Sequence, residues 1–421
     1  MDRLKNMDKN LLQLMIIVVI TLTAGLYRNG FPALFPFMQA EFEVSRAVLG
    51  LYTSFLYMVS GALALFSGWV ADSIGAKKAL FLGTATLGIL IALHALAPSY
   101  AVILFLGIVC GIGFSIISPG ASKAVADRFA PSERGTPMGL IFVGWSVGGL
   151  LGAVTLPTFS ELFGWRWASV AMGVFMLLVI IIFYFVYNDP EAPAEGGDEK
   201  SQEVSEEEEP TFKEGFFALL SDKYTLLLGF AALMFGSISG ILATHYTLFV
   251  HLDYGYPEAL AGLGFAFLHA GSIVGRPAWG YINDKFLVDR EHVGFLLISL
   301  SNVFVLVAFG VLSRVFAAPP IVVLFIFTFL AGFSGRGWPG MLFTAVSRQA
   351  DARYAGMALG FALVFVRAGV TIAPPLFGYV ADITGTYELG WFLAAAITIV
   401  GGLVFYILGA RQARERVQDA Q

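Results

Sequence analysis

The stretch Gly68-Trp69-Val70-Ala71-Asp72-Ser73-Ile74-Gly75-Ala76-Lys77-Lys78 lies between two long apolar runs, at about 47–67 and 79–97. An acid, two paired bases and spaced glycines between membrane-length runs read as a tight polar hairpin joining two spanning helices. Part of the pattern returns about 212 residues later, as Gly280-Tyr281-Ile282-Asn283-Asp284-Lys285. Two further echoes keep a similar offset. Gly113-Phe114-Ser115 with Pro119-Gly120 matches Gly332-Phe333-Ser334 with Pro339-Gly340, and Met138-Gly139-Leu140 matches Met357-Ala358-Leu359. The chain is therefore an internal repeat of two apolar halves, a pattern of membrane carriers.

The composition agrees. Of 421 residues, 57% are hydrophobic and 13% charged; a soluble domain carries about 25% charged residues. This excludes a soluble enzyme, a nucleic-acid binder and a disordered chain. Apolar runs at about 11–38, 47–67, 79–97, 101–126, 136–159 and 168–187, then 222–250, 258–281, 293–313, 320–346, 355–380 and 388–409, predict twelve helices. The fold class is an all-α polytopic membrane protein. It has a six-helix bundle at 1–187, an acidic linker at 188–221 and a second six-helix bundle at 222–421 with a short basic tail. The linker region 188–214 holds eleven acids and two lysines, a net of −9, while the rest of the chain is +4. Eighteen basic residues fall on the side of the chain ends and the linker. Three (Arg46, Arg166 and Arg314) fall on the other. That asymmetry places both termini in the cytoplasm. The single cysteine, Cys110, excludes a disulfide framework, and the histidines lack metal-ligand spacing. No cofactor or metal is expected.

The hairpin at 68–78 resembles the loop motif of the major facilitator superfamily, glycine-x-x-x-aspartate-x-x-glycine-x-basic-basic, here Gly68, Asp72, Gly75, Lys77 and Lys78. The second copy departs from it after Asp284, where Leu287 takes the glycine position. The resemblance covers the whole chain. It implies two pseudo-symmetric six-helix bundles around a central cavity, lined by helices 1, 4, 7 and 10 and flanked by 2, 5, 8 and 11. It implies alternating access, with Asp72 and Asp284 acting in gating by capping a helix or pairing with a neighbouring base.

Four arginines lie inside apolar runs: Arg28, Arg276, Arg336 and Arg367. Each costs about 2.5–3.5 kcal/mol at a helix centre, so such residues are functional candidates. No acid sits at matching depth. An uncompensated cluster of this kind calls for an anion, and the planar guanidinium fork suits a carboxylate, phosphate or sulfonate. The competing reading is that each arginine binds backbone carbonyls or snorkels to an interface. By resemblance, a mid-helix arginine such as Arg28 belongs to organophosphate and sugar-acid branches. Arg276 before Pro277 resembles the helix-8 arginine of monocarboxylate porters and oxalate:formate antiporters, which binds the carboxylate. Arg367 resembles the helix-11 basic residue of the latter, a lysine there. Arg336, between Gly335 and Gly337, is a site, gate or packing residue.

His245 in helix 7 takes roughly the pseudo-symmetric place of Arg28, and His269 lies two turns from Arg276 on the same face. Either could carry a coupling proton or simply line the cavity as a hydrogen-bonded polar group. Tyr27, Asn29, Trp145, Tyr246 and Trp338 are candidates to shape the pocket; ordinary helix packing is the alternative for each aromatic. The chain lacks the helix-5 glycine-proline pair of drug antiporters and the buried acid of proton-coupled multidrug exporters.

The expected function is secondary active transport of a small organic anion, a mono- or dicarboxylate foremost, by proton symport or anion exchange. The expected partners are that anion, a proton and the lipid bilayer, with no nucleic acid. The expected setting is a monomer in a bacterial or archaeal inner membrane. The rivals are a carrier of neutral or cationic compounds with structural arginines and, remotely, a transporter-like sensor. An enzyme is not expected.

Overall fold

The computed structural model describes residues 2–129, 134–188, 219–287, 290–349 and 355–419; these form helices and connecting turns, with no strand among them. The linker expected at 188–221 falls outside the described residues over 189–218. Eleven helices are long and apolar enough to cross a membrane, and a twelfth span is counted when the bent pair after Ser45 is taken as one.

Helix α1 begins as Asp2–Gly25 and breaks into a π-turn, Leu26–Gly30. It tightens into a 3-10 turn at Phe31–Leu34 and ends as Phe35–Phe42. Pro32 and Pro36 explain the irregularity: neither has an N–H to return to the carbonyl one turn earlier. Helix α2 is Arg46–Ala62 continued by Ala64–Ile74, with a 61° bend between them. Ser45 caps its start, its hydroxyl accepting from the Val48 N–H at 3.3 Å. Gly75, at φ +84°, turns the chain into α3, Ala76–Leu93. A side chain would be strained there, so the second glycine of the hairpin motif is a backbone requirement. Then come α4 (Tyr100–Ala126), α5 (Gly135–Phe163) and α6 (Trp165–Val186).

The second half starts with α7 (Lys223–Tyr254), capped by Asp222, and α8 (Glu258–Phe286) and α9 (Glu291–Val315) follow. Helix α10 is broken: Ile321–Gly335, then Pro339–Gln349. Helices α11 (Ala355–Thr384) and α12 (Glu388–Asp419) complete the fold. The apolar runs thus predict the spans, but α1 and α2 run further than expected, and the expected helix 10 is interrupted where Gly335, Gly337 and Pro339 cluster.

Within the first half, α1 packs on α5, α2 on α4, and α3 on α4 and α6. Within the second, α7 packs on α11, α8 on α10, and α9 on α12. The halves meet along α2–α11 and α5–α8. Outward faces carry bare apolar side chains such as Phe105, Phe185 and Ile397, as a lipid-facing rim requires.

The two ends of the interface between the halves differ. On the side away from the chain ends, here the distal side, Asp382 of α11 accepts from the backbone N–H groups of Arg46 and Ala47 at 2.9 Å each. Arg46 donates in return to the carbonyls of Ala381 (2.7 Å) and Gly385 (3.0 Å) at the end of α11. Each helix end is capped by the other half. Glu161 of α5 accepts from the Ala259 N–H of α8 at 2.8 Å. Thr244 of α7 meets Thr53 of α2 at 3.0 Å, and Thr247 donates to the Pro32 carbonyl at 3.2 Å. Towards the terminal side, a Cβ placed on Gly68, Gly139, Gly280 or Gly360 would meet no neighbouring helix within 4 Å.

Candidate functional site

The irregular turns bring polar groups to mid-depth. The π-turn carries Arg28 and Asn29, and the break in α10 carries Arg336. Arg28 donates from Nε to the Tyr57 hydroxyl of α2 at 2.6 Å. Its guanidinium also lies over three rings: Tyr57 at 5.2 Å, and Phe114 and Trp145 at 5.7 Å each. These come from α2, α4 and α5.

The three arginines of the second half each reach into the first. Arg336 donates from Nη2 to Oδ1 of Asn29 at 3.0 Å. Arg276 donates from Nη1 to the Ser146 hydroxyl of α5 at 3.3 Å, with its Nε near the Arg336 carbonyl at 3.5 Å. Arg367 donates to the Ser60 carbonyl of α2 at 2.8 Å, its Cδ lying 3.2 Å from where a Cβ on Gly61 would stand. Every one of these acceptors is neutral. Among the described residues none of the four arginines forms an ion pair. Arg336 is only 8% exposed, and its buried Nη1 has no hydrogen-bond partner. Arg28 lies within electrostatic range of the other three. The result is a cationic centre without a counter-charge.

Close approach of helices builds it. A Cβ on Gly148 would come 2.0 Å from the Leu22 carbonyl, and one on Gly149 would come 2.5 Å from the Asn29 Cβ and 2.9 Å from the His269 ring. Helix α5 must be bare there for α1 and α8 to meet.

Asn29 and Trp145 thus lie among the arginines. Asn29 also donates to the Trp145 carbonyl at 3.2 Å. His269 sits at the margin, its Nε2–H donating to the Asn29 carbonyl at 3.2 Å. Trp338 is one layer behind, stacked on Phe235 and donating to the Ser239 hydroxyl at 2.9 Å.

Three candidates lie elsewhere. Tyr27 turns into the first half, its hydroxyl 3.0 Å from that of Tyr52, which reaches Nε2 of His94 at 3.1 Å. Tyr246 is buried in the second half against Thr328 at 2.8 Å. His245 lies apart from the arginines: its Nε2–H donates to the Pro374 carbonyl at 2.8 Å and its Nδ1 accepts from the Tyr387 hydroxyl at 3.2 Å. That places it beside the distal closure, where Arg46 lies over the Tyr387 ring at 5.1 Å.

In the hairpin motif, Asp72 stands 3.9 Å from Lys123 of α4, which also pairs with Asp127 at 3.2 Å. Lys77 lies over Tyr184 at 4.9 Å. Lys78 is exposed, and the side chain of Asp284 falls outside the described residues. Sequence reasoning missed Tyr57, Phe114 and Ser146. A lone tyrosine, phenylalanine or serine within an apolar run carries no signal that separates it from its neighbours.

The model of the Major Facilitator Superfamily matches residues 17–301. The chain belongs to that superfamily: it is an integral, multi-pass membrane transporter and not an enzyme. It is similar to the gentisate transporter of Corynebacterium glutamicum, 26% identical over 81% of this chain and 74% of the relative. It is also similar to the hexuronate transporter of Bacillus subtilis, 24% identical over 87% of each. Its fold matches the crystal structure of a bacterial homolog of the human lysosomal transporter Spinster in an inward-facing, unoccupied conformation. The TM-score is 0.79 with 16% identity, over 97% of this chain and 98% of the other.

Proposed function

We propose that this transporter moves a small organic anion, a mono- or dicarboxylate foremost, by alternating access. The observation that carries the reading is the buried Nη1 of Arg336, which has no partner among the described residues and stands with three more arginines that no described acid neutralises. A buried charge without a partner is costly, and an anion completes the set. The names of the gentisate and hexuronate relatives, both organic acids, support the same class.

In this reading the site exchanges its anion with the cytoplasm through the terminal side in this state, and the bound anion draws Arg276, Arg336 and Arg367 towards Arg28. The halves rock about the fixed site and the distal contacts give way. The bundles at 1–187 and 222–421 move as the two bodies, joined by the linker at 188–221. The protein works as a monomer in a bacterial or archaeal inner membrane. Proton symport is the favoured coupling for uptake, with His269 as the proton carrier beside the site; anion exchange needs no such group.

One observation favours the rival carrier of neutral or cationic compounds. Each second-half arginine already holds a neutral acceptor, Ser146, Asn29 or the Ser60 carbonyl, as a structural arginine would. The deciding experiment is thermal stability of the purified protein against carboxylates, sulfonates, phosphates and neutral isosteres. An anion at 100 times its Kd adds about 2.7 kcal/mol. Stabilisation by one anion class that disappears in Arg276→Gln and Arg367→Gln supports the proposal. Stabilisation only by neutral or cationic compounds refutes it.

A further inference from the structure

Arg28 is held among three rings. Tyr57 accepts from its Nε at 2.6 Å, and the guanidinium carbon lies 5.2 Å from the centre of that ring and 5.7 Å from those of Phe114 and Trp145. Among the described residues neither Nη nitrogen has a hydrogen-bond partner. A guanidinium is a rigid planar fork, so fixing Nε and one face also fixes the direction of the remaining donors. Those donors belong to the edge that a planar carboxylate takes bidentately.

Tyr57 also occupies a telling position on α2. Ser60 and Gly61, three and four residues on, share its helix face, and these hold Arg367. The same face therefore seats one arginine from each half. Tyr57 lies within electrostatic range of Arg276, Arg336 and Arg367 as well.

We infer that Tyr57 is a positioning residue: its hydroxyl fixes the Arg28 fork in one orientation and so gives the site its preference for planar carboxylates over tetrahedral anions. This rests on the organic-anion reading above. A lysine or a free-swinging arginine in the same place would attract anions of either shape without choosing between them.

The test is a double-mutant cycle on the full-length purified protein, with Tyr57→Phe, Arg28→Lys and the pair. The probes are benzoate, glucuronate and succinate, with benzenesulfonate as the tetrahedral counterpart of benzoate. Losing a hydrogen bond to a charged group should weaken carboxylate binding about tenfold in Tyr57→Phe and move benzenesulfonate far less. In the Arg28→Lys background the same substitution should change carboxylate affinity by less than about twofold. An equal loss in both backgrounds, or an unchanged carboxylate affinity in Tyr57→Phe, overturns the inference while leaving the anion site standing. A wild type that binds no carboxylate in the panel overturns the reading beneath it, and the inference with it. Should Tyr57→Phe not fold, 4-fluorophenylalanine at position 57 keeps the shape and replaces the hydroxyl by a poor acceptor. Carboxylate affinity must then fall, and no change counts against the inference.

Discussion

Nη2 of Arg336 and Oδ1 of Asn29 are 3.0 Å apart and belong to opposite halves of the molecule. Asn29 is engaged by three other helices. Its amide also holds the Trp145 carbonyl, and its own carbonyl holds His269. Through one side chain and one carbonyl, α1 is tied to α5, α8 and α10. An anion that takes Arg336 competes with Asn29 for it, so filling the site and loosening a bond between the halves become one event.

Replacing Asn29 with aspartate supplies the missing negative charge from within. Asn29→Asp should melt higher than the wild type without ligand and lose the stabilisation that anions give the wild type. A charged hydrogen bond of about 1.5–3 kcal/mol sets the scale, an affinity loss of about 10- to 100-fold. Melting curves with and without the best-binding anion check both parts.

Asp382→Ala should loosen the distal closure, since two backbone N–H groups at the start of α2 lose their acceptor. The loss is about 1.5–3 kcal/mol, which shifts an open-to-closed equilibrium by about tenfold or more. A cysteine introduced at Thr53 or Thr244 reads this out. Its labelling by a membrane-impermeant thiol reagent from the distal side should speed up by a similar factor. The native Cys110 is buried and adds no background.

Gly148→Ala should destabilise the fold by about 1–3 kcal/mol, because its methyl would meet the Leu22 carbonyl at 2.0 Å. Helix α1 would have to move off α5 and take the π-turn with it. The expected result is a lower melting temperature together with weaker anion binding. Gly139→Ala, on the same helix with no atom within 4 Å of the added carbon, should melt as the wild type does.

The two candidate coupling histidines should separate. His269 touches the π-turn beside the arginines, whereas His245 is engaged by Pro374 and Tyr387. His269→Gln should reduce uptake driven by an imposed pH gradient about tenfold or more while leaving anion exchange in proteoliposomes intact. His245→Gln should keep the response to the gradient.

How much of this could be read from the chain follows from what apolar runs can and cannot report. Run length gives spans, and the cost of a charge in lipid singles out Arg28, Arg276, Arg336 and Arg367. Facing is a different matter. Tyr27 and Arg28 are sequence neighbours, but about 100° separates them around a helix, and the tyrosine turns to Tyr52 while the arginine turns to Tyr57. Pseudo-symmetry puts α7 opposite α1, but it does not say that α11 and the start of α12 bury His245 from the side. Tyr57 and Ser146 look like any other residue of an apolar helix until the arginines that they hold are in place.

The π-turn at 26–30 carries a consequence for register. It fits one residue more than an α-turn would. Arg28 and Asn29 therefore meet Tyr57 and Arg336 only because α1 is wound out of phase by about 100° on either side of that turn. Deleting Gly30 would leave every side chain of the cluster in the protein and restore a smoother helix. It would also swing one end of α1 about its axis relative to the other, parting either the distal seal at Pro32 from the arginines or the arginines from their partners.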